Sequence, residues 1–137
     1  MNIEEKAEDF FKQGCNCSQA VAAAFADDLG VDVEHAKLLA CGLGGGVGRM
    51  REVCGAVSAA AMVIGVRNGG SREAAYPAIQ QFCAKFKNEA GSIVCRDLLA
   101  GPGLQTGGIP EERTDSYYRK RPCVELVKLA VRLLSEK

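Results

Sequence analysis

The sequence predicts an all-α fold, and three observations carry that expectation. Apolar residues make up 47% of the 137-residue chain, yet aromatics make up only 6% and there is no Trp. Small aliphatic side chains must therefore fill the core, which suits close-packed helices better than a sheet sandwich. Apolar positions recur at three- and four-residue spacing, and no alternating run or internal repeat stands out. Glycines fall where those periodic segments stop. A chain of this length can bury a sizeable core, so the expected architecture is one domain over 1–137. It would be a compact bundle of about six helices around a central apolar helix at about 51–66.

Each element has its own signals. Asn2 and Glu5 form a capping box for a first helix ending near Gly14. A second begins around Cys17, with Ala20, Val21, Ala24 and Phe25 on one face, and Gly30 stops it. Asp32 caps a third through Leu38, Leu39 and Cys41. Gly42-Leu43-Gly44-Gly45-Gly46-Val47-Gly48 cannot stay helical with five glycines in seven positions. The fourth, about Arg51 to Val66, is small or apolar on every side, which assigns it to the centre of the domain. Ser71 caps the next, which carries Ala75, Ile79, Phe82, Cys83 and Phe86; Pro77 asks for a start near Tyr76 or a kink. Ser92 opens a short helix through Leu98 and Leu99. Residues 101–121 read as irregular, and Pro122 stands as first residue of a last helix with Leu126, Leu129, Ala130 and Leu133 inward.

Charge and cysteine content narrow the function. Lys plus Arg equals Asp plus Glu at 17 each, which leaves no electrostatic footprint for nucleic acid or an anionic membrane. The N-terminus lacks a signal-peptide layout and no apolar run is long enough to span a bilayer, so a cytoplasmic protein is expected. Seven cysteines in a reducing compartment point to metal binding or redox chemistry rather than a disulfide framework.

Four of those seven, Cys17, Cys54, Cys95 and Cys123, fall in the first turn of four different expected helices. Unpaired N–H groups and the positive end of the helix dipole stabilise a thiolate there, making the sulfur a better nucleophile or ligand. Arg49 and Arg51 before Cys54, Arg96 after Cys95, and Arg119-Lys120-Arg121 before Cys123 push the same way. Convergence of the four would give the ligand set of a structural zinc or an iron–sulfur cluster, although none belongs to a Cys-x-x-Cys pair. Cys15 could add a ligand or a resolving thiol but reads as incidental, and Cys41 and Cys83 read as core.

Other candidates are weaker. The glycine run follows no strand, matches no dinucleotide fingerprint and lacks a Gly-Lys-Ser/Thr, so it reads as a tight turn beside the central helix, with lining of the thiol site as the alternative. His35, the only histidine, sits among charges and reads as solvated. Tyr117-Tyr118 either covers a pocket or anchors its loop.

Gly14-Cys15-Asn16-Cys17-Ser18-Gln19-Ala20-Val21, then Gly44 through Ser58 with Arg49-Met50-Arg51-Glu52-Val53-Cys54-Gly55-Ala56, then Cys95-Arg96-Asp97-Leu98-Leu99 and Arg121-Pro122-Cys123, resemble the C-GCAxxG-C-C family of redox-active proteins. The resemblance spans nearly the whole chain, and the family's four defining cysteines fall on Cys17, Cys54, Cys95 and Cys123. The motif's closing glycine is Ala59 here, a change of little bulk that favours helix. The resemblance implies redox chemistry without a settled substrate, and a bound iron–sulfur or other metal centre has been suggested for the family. The leading expectation is therefore a cysteine-ligated metal centre, an iron–sulfur cluster first, held by Cys17, Cys54, Cys95 and Cys123 for electron transfer or sensing. The alternatives are a thiol–disulfide oxidoreductase with Cys54 attacking and another of the four, such as Cys17, resolving, or a structural or partner-binding bundle. The expected partner is a redox protein or a small-molecule electron donor or acceptor, and a homo-oligomer is left open.

Overall fold

The computed structural model describes residues 1–99, 104–114 and 122–136. Among these the protein is all-α. The helices are α1 (Ile3–Lys12), α2 (Cys17–Ala24), α3 (Ala26–Leu29), α4 (Val33–Ala40), α5 (Gly44–Val47), α6 (Gly55–Arg67), α7 (Arg72–Ala90), α8 (Cys95–Leu98) and α9 (Cys123–Ser135), with a 3-10 turn at Cys41–Leu43. Six of them have eight residues or more, and α3, α5 and α8 are single turns. No described helix is long and apolar enough to cross a membrane.

The caps explain most of the boundaries. Asn2, Asp32 and Ser71 each accept the N–H three residues on, starting α1, α4 and α7. Asn16 makes a reciprocal capping box with Gln19 and starts α2 at Cys17. α2 ends sooner than its apolar pattern suggests: the helix breaks at Phe25, α3 follows, and Gly30 in the left-handed conformation closes that turn.

The core is built from alanines and valines with two large anchors. Phe11, Phe86, Val21, Val63, Val127 and Val131 are fully buried, among Ala20, Ala56, Ala59, Ala60 and Ala130. α2 packs against α1, α4, α6 and α9, and α6 also meets α7 and α9. Small residues let these helices approach closely, so α2 and α6 lie side by side and bring their N-terminal ends together.

Several expected boundaries are corrected. The central helix starts at Gly55 rather than about Arg51, because residues 51–54 are occupied elsewhere: Val53 forms an isolated antiparallel bridge with Val94. Cys54 N–H donates to the Ile93 carbonyl (2.8 Å), Cys95 N–H to Glu52 (2.6 Å) and Arg96 N–H to Arg51 (3.2 Å). This one bridge has no repeating pattern to announce it. α8 starts at Cys95, not Ser92, whose hydroxyl instead accepts the Val94 N–H. Pro122 is the cap of α9 and Cys123 its first residue. α7 runs unbroken from Arg72 through Pro77, where the ring removes one backbone donor.

Candidate redox site

Cys17, Cys54, Cys95 and Cys123 all line one cavity of about 330 Å³. Three of them, Cys17, Cys95 and Cys123, are the first residues of α2, α8 and α9, while Cys54 is the cap of α6 rather than a first-turn residue. Cys41, expected in the core, is exposed and also reaches the cavity wall. Cys15 is buried in the core, and Cys83 packs half-buried against it; burial pushes both thiols up from their ordinary range. All seven cysteines are free. His35 is exposed beside Asp32. Arg119-Lys120-Arg121 and Tyr117-Tyr118 lie outside the described residues.

The position of Cys17 follows from its neighbours. Asn16 Oδ1 accepts from Gln19 N–H (2.8 Å) and from Ser18 Oγ (2.7 Å), and Asn16 Nδ2 donates to the Cys41 carbonyl (3.0 Å). The buried Ser18 hydroxyl also reaches the Ala40 carbonyl (2.8 Å). These bonds fasten the start of α2 to the end of α4 and to the glycine run. At Gly44 an added Cβ would lie 2.3 Å from Asn16 Nδ2, so only glycine allows that approach. At Gly55 an added Cβ would lie 2.7 Å from Cys17 Sγ, so the missing side chain is what seats the sulfur on the N-terminus of α6.

There Cys17 and Cys54 form a hydrogen-bonded pair of unequal members. The Cys54 thiol donates to the Cys17 sulfur, and this bond is the main reason Cys17 is lowered to about 6; backbone N–H groups of Gly45, Ser18 and Ala56 add to the effect against burial. Cys54 is held well above the ordinary thiol range, first by that same bond to Cys17 and then by burial and the Cys17 charge. The pair therefore favours the negative charge on Cys17. Cys54, expected as the attacking sulfur, lies at the helix cap with the Ala56 and Val57 N–H groups beside it, and both sulfurs line the same cavity.

The glycine run is a wall of this cavity as well as a turn. Gly44, Gly45 and Gly48 line it, and Gly45 and Gly46 adopt left-handed conformations. At Gly46 a Cβ would meet Cys95 Cβ at 2.7 Å and Glu52 N at 2.6 Å. The run thus presses on both sides of the Val53–Val94 bridge and sets Cys54 and Cys95 into one wall.

Arginines complete the site. Arg51, only 5% exposed, directs Nη1 at Cys95 Sγ (3.7 Å) and donates Nε to the Gln105 carbonyl (2.9 Å). Arg96 turns away, onto Glu52 (2.6 Å) and the Arg51 carbonyl. Arg113, which the sequence did not single out, stacks on Phe11 (4.4 Å) and donates to the carbonyls of Phe11 and Cys15. Nothing in the irregular stretch around it marks it as a site residue. Among the described residues no three Cys, His, Asp or Glu side chains are grouped closely enough to hold a metal ion.

An all-α scaffold with a thiol–thiolate pair in a cysteine-lined cavity defines a cysteine-based redox protein as its class. The chain belongs to the C_GCAxxG_C_C family, described as "Putative redox-active protein", whose model matches residues 15–137. No curated protein matches the chain. No solved structure matches it.

Proposed function

We propose that this protein is a thiol–disulfide oxidoreductase in which Cys17 attacks and Cys54 resolves. The observation that carries the reading is the seating of the Cys17 sulfur against Gly55, the residue next to Cys54, where a Cβ would lie 2.7 Å from it and both cysteines line one cavity. The Cys17 thiolate attacks one sulfur of a substrate disulfide, the substrate S–S bond breaks, and one substrate thiolate leaves as a mixed disulfide forms. Consuming the Cys17 charge removes two of the influences that hold Cys54 protonated, namely its bond to that sulfur and the charge itself. Cys54 then loses its proton and attacks Cys17 Sγ, releasing the second substrate thiolate. The protein ends with a Cys17–Cys54 disulfide, the substrate has gained two electrons, and its two thiolates take up the proton from Cys54 and a second from water. A reducing compartment such as the cytoplasm, with a dithiol protein or a small thiol as electron donor, would return the pair to its starting state.

The test is trapping. Reduced protein is mixed near neutral pH with a small disulfide, quenched with acid and mapped by mass spectrometry. The first adduct should be on Cys17 and the product should be a Cys17–Cys54 disulfide, with C95S and C123S leaving both in place. A first adduct on Cys95 or Cys123 would overturn the assignment.

A second reading is favoured by one observation, the four cysteines lining one cavity. Cys17, Cys54, Cys95 and Cys123 would then hold an iron–sulfur cluster or other metal, which supplies one-electron transfer or sensing when bound. Thiolate is the right donor for such a centre, but the described side chains are not spaced for ligation, so Cys95 and Cys123 would have to turn toward the pair. Anaerobic reconstitution with iron and sulfide separates the readings: a four-ligand centre loses metal with serine at any of the four.

A further inference from the structure

Arg49 and Arg51 flank the cavity that holds the Cys17–Cys54 pair, and neither forms an ion pair among the described residues. Arg51 is nearly fully buried, and its polar partners are one carbonyl and the Cys95 sulfur. Arg49 spends Nη1 on the Ile109 carbonyl, while its Nε is buried with no hydrogen-bond partner among the described residues. A guanidinium shut away from water without a carboxylate is costly unless an anion joins it. The two side chains also meet at one place. A Cβ built on Gly45 would lie 3.1 Å from Arg49 Cγ and 3.8 Å from Arg51 Nη1, and the N–H of this same Gly45 points to the Cys17 sulfur. Arg51 Nη1 and the aliphatic stem of Arg49 therefore both border Gly45, the residue whose N–H serves the Cys17 sulfur. Glu111 and Arg113 lie in the same lining, so among the described residues the walls carry three arginines to one carboxylate.

We infer that Arg49 and Arg51 form an anion subsite, and that the substrate is a small disulfide bearing a carboxylate close to its S–S bond. A cavity of about 330 Å³ accepts a low-molecular-weight disulfide and not a folded protein chain. The planar guanidinium fork suits a carboxylate, and the substrate's charge supplies the counter-ion that buried Arg51 and the buried Nε of half-buried Arg49 lack among the described residues. The inference rests on the exchange reading for its chemistry: with the carboxylate on the arginines, the near sulfur meets Cys17, and the far thiolate leaves toward the cavity mouth. A thiolate alone would favour a cationic disulfide, so a preference for an anionic one must come from the arginines.

The test uses the full chain and four probes. Dithiodiglycolate (anionic), bis(2-hydroxyethyl) disulfide (neutral) and cystamine (cationic) report exchange through the rate of Cys17 adduct formation. Thiodiglycolate, a dicarboxylate with no S–S bond, reports binding alone by calorimetry. The wild-type rate should order anionic over neutral over cationic. The anionic-to-neutral ratio should fall at least about tenfold in R51Q and in R49Q, the scale of one charge-assisted hydrogen bond, while R51K keeps most of it. Equal rates for the three disulfides would overturn the subsite and leave exchange standing. Thiodiglycolate binding that R49Q or R51Q abolishes, without exchange on any disulfide, would uphold the subsite and overturn the exchange reading. No binding of thiodiglycolate together with an unchanged ratio in both variants would refute the inference; the two variants at different places in the loop guard against one failing to fold.

Discussion

Removing the Cys54 thiol should raise the pKa of Cys17, and the structure sets the size of the effect. With Cys17 at about 6, roughly 90% is thiolate at pH 7. Cys54→Ala deletes the main stabilising donor and leaves burial set against the weaker N–H bonds of Gly45, Ser18 and Ala56, so Cys17 should return toward the free-thiol value of about 8.5, where about 3% is thiolate at pH 7. The thiolate population falls about 30-fold. Intrinsic nucleophilicity rises with basicity, however, with a Brønsted slope of about 0.4–0.5, which restores roughly tenfold of the rate. Net alkylation at neutral pH should therefore slow only about two- to threefold, and a single-pH rate would miss the effect. The decisive assay is the pH profile of Cys17 alkylation, followed by mass spectrometry. Its inflection should move from about 6 to above 8, and near pH 5 the rate gap should widen to about 20-fold. Cys54→Ser keeps a hydroxyl donor and should leave the inflection between the two. If the wild-type inflection lies near 8.5, or if Cys54→Ala does not move it, the thiol–thiolate pair is not the source of reactivity.

Two further outcomes follow from the same geometry. Gly55→Ala drives a methyl to 2.7 Å from Cys17 Sγ and 2.9 Å from the Leu43 carbonyl, so it should cost about 1–3 kcal/mol in urea unfolding and disturb the Cys17 inflection; Gly65→Ala, with open space around it, should not. Stability should also rise with pH between about 6 and 8.5, at no more than about 1.4 kcal/mol per unit, because the unfolded chain binds a proton at Cys17 that the folded one has lost. The contribution is complete above the unfolded thiol's pKa and disappears as pH falls through about 6. Cys17→Ser should flatten that slope in urea titrations at matched ionic strength.

Much of this was legible in the sequence because it is local. Asn2, Asn16, Asp32 and Ser71 announce helix starts through side-chain chemistry that acts over three residues, and the caps form as the spacing predicts. The four cysteines stand out for the same reason, at or beside helix starts. What stayed hidden is non-local. The Val53–Val94 bridge joins segments some forty residues apart through backbone bonds alone, and it displaces the start of α6 from Arg51 to Gly55. The pairing of Cys17 with Cys54 depends on the approach of α2 to α6, where Gly55 leaves room for the Cys17 sulfur, and nothing in the residues between the two cysteines announces it. Cys41 misled because it ends an apolar stretch, yet the 3-10 turn that starts there swings it outward.

The segment between the glycine run and Cys54 connects these features. Val47, Arg49 and Arg51 all hold positive φ, at 65, 69 and 61°, in a conformation that costs an L-residue with a side chain about 1–2 kcal/mol. Three such residues at alternate positions persist only where other bonds over-determine the backbone. Those bonds are present. Arg51 and Glu52 N–H donate to the carbonyls of Gly45 (3.1 Å) and Gly46 (2.9 Å), and the Arg49 carbonyl accepts from Gly107 (2.9 Å). A glycine at 49 or 51 would relieve the strain and discard the guanidinium. The chain instead keeps arginine at two strained positions that face the cavity, where the side chains also tie down the Gln105 and Ile109 carbonyls. Those carbonyl bonds account for part of what the strain secures, and the proposed anion subsite would account for the rest, at buried Arg51 and the buried Nε of Arg49, which lack a carboxylate among the described residues.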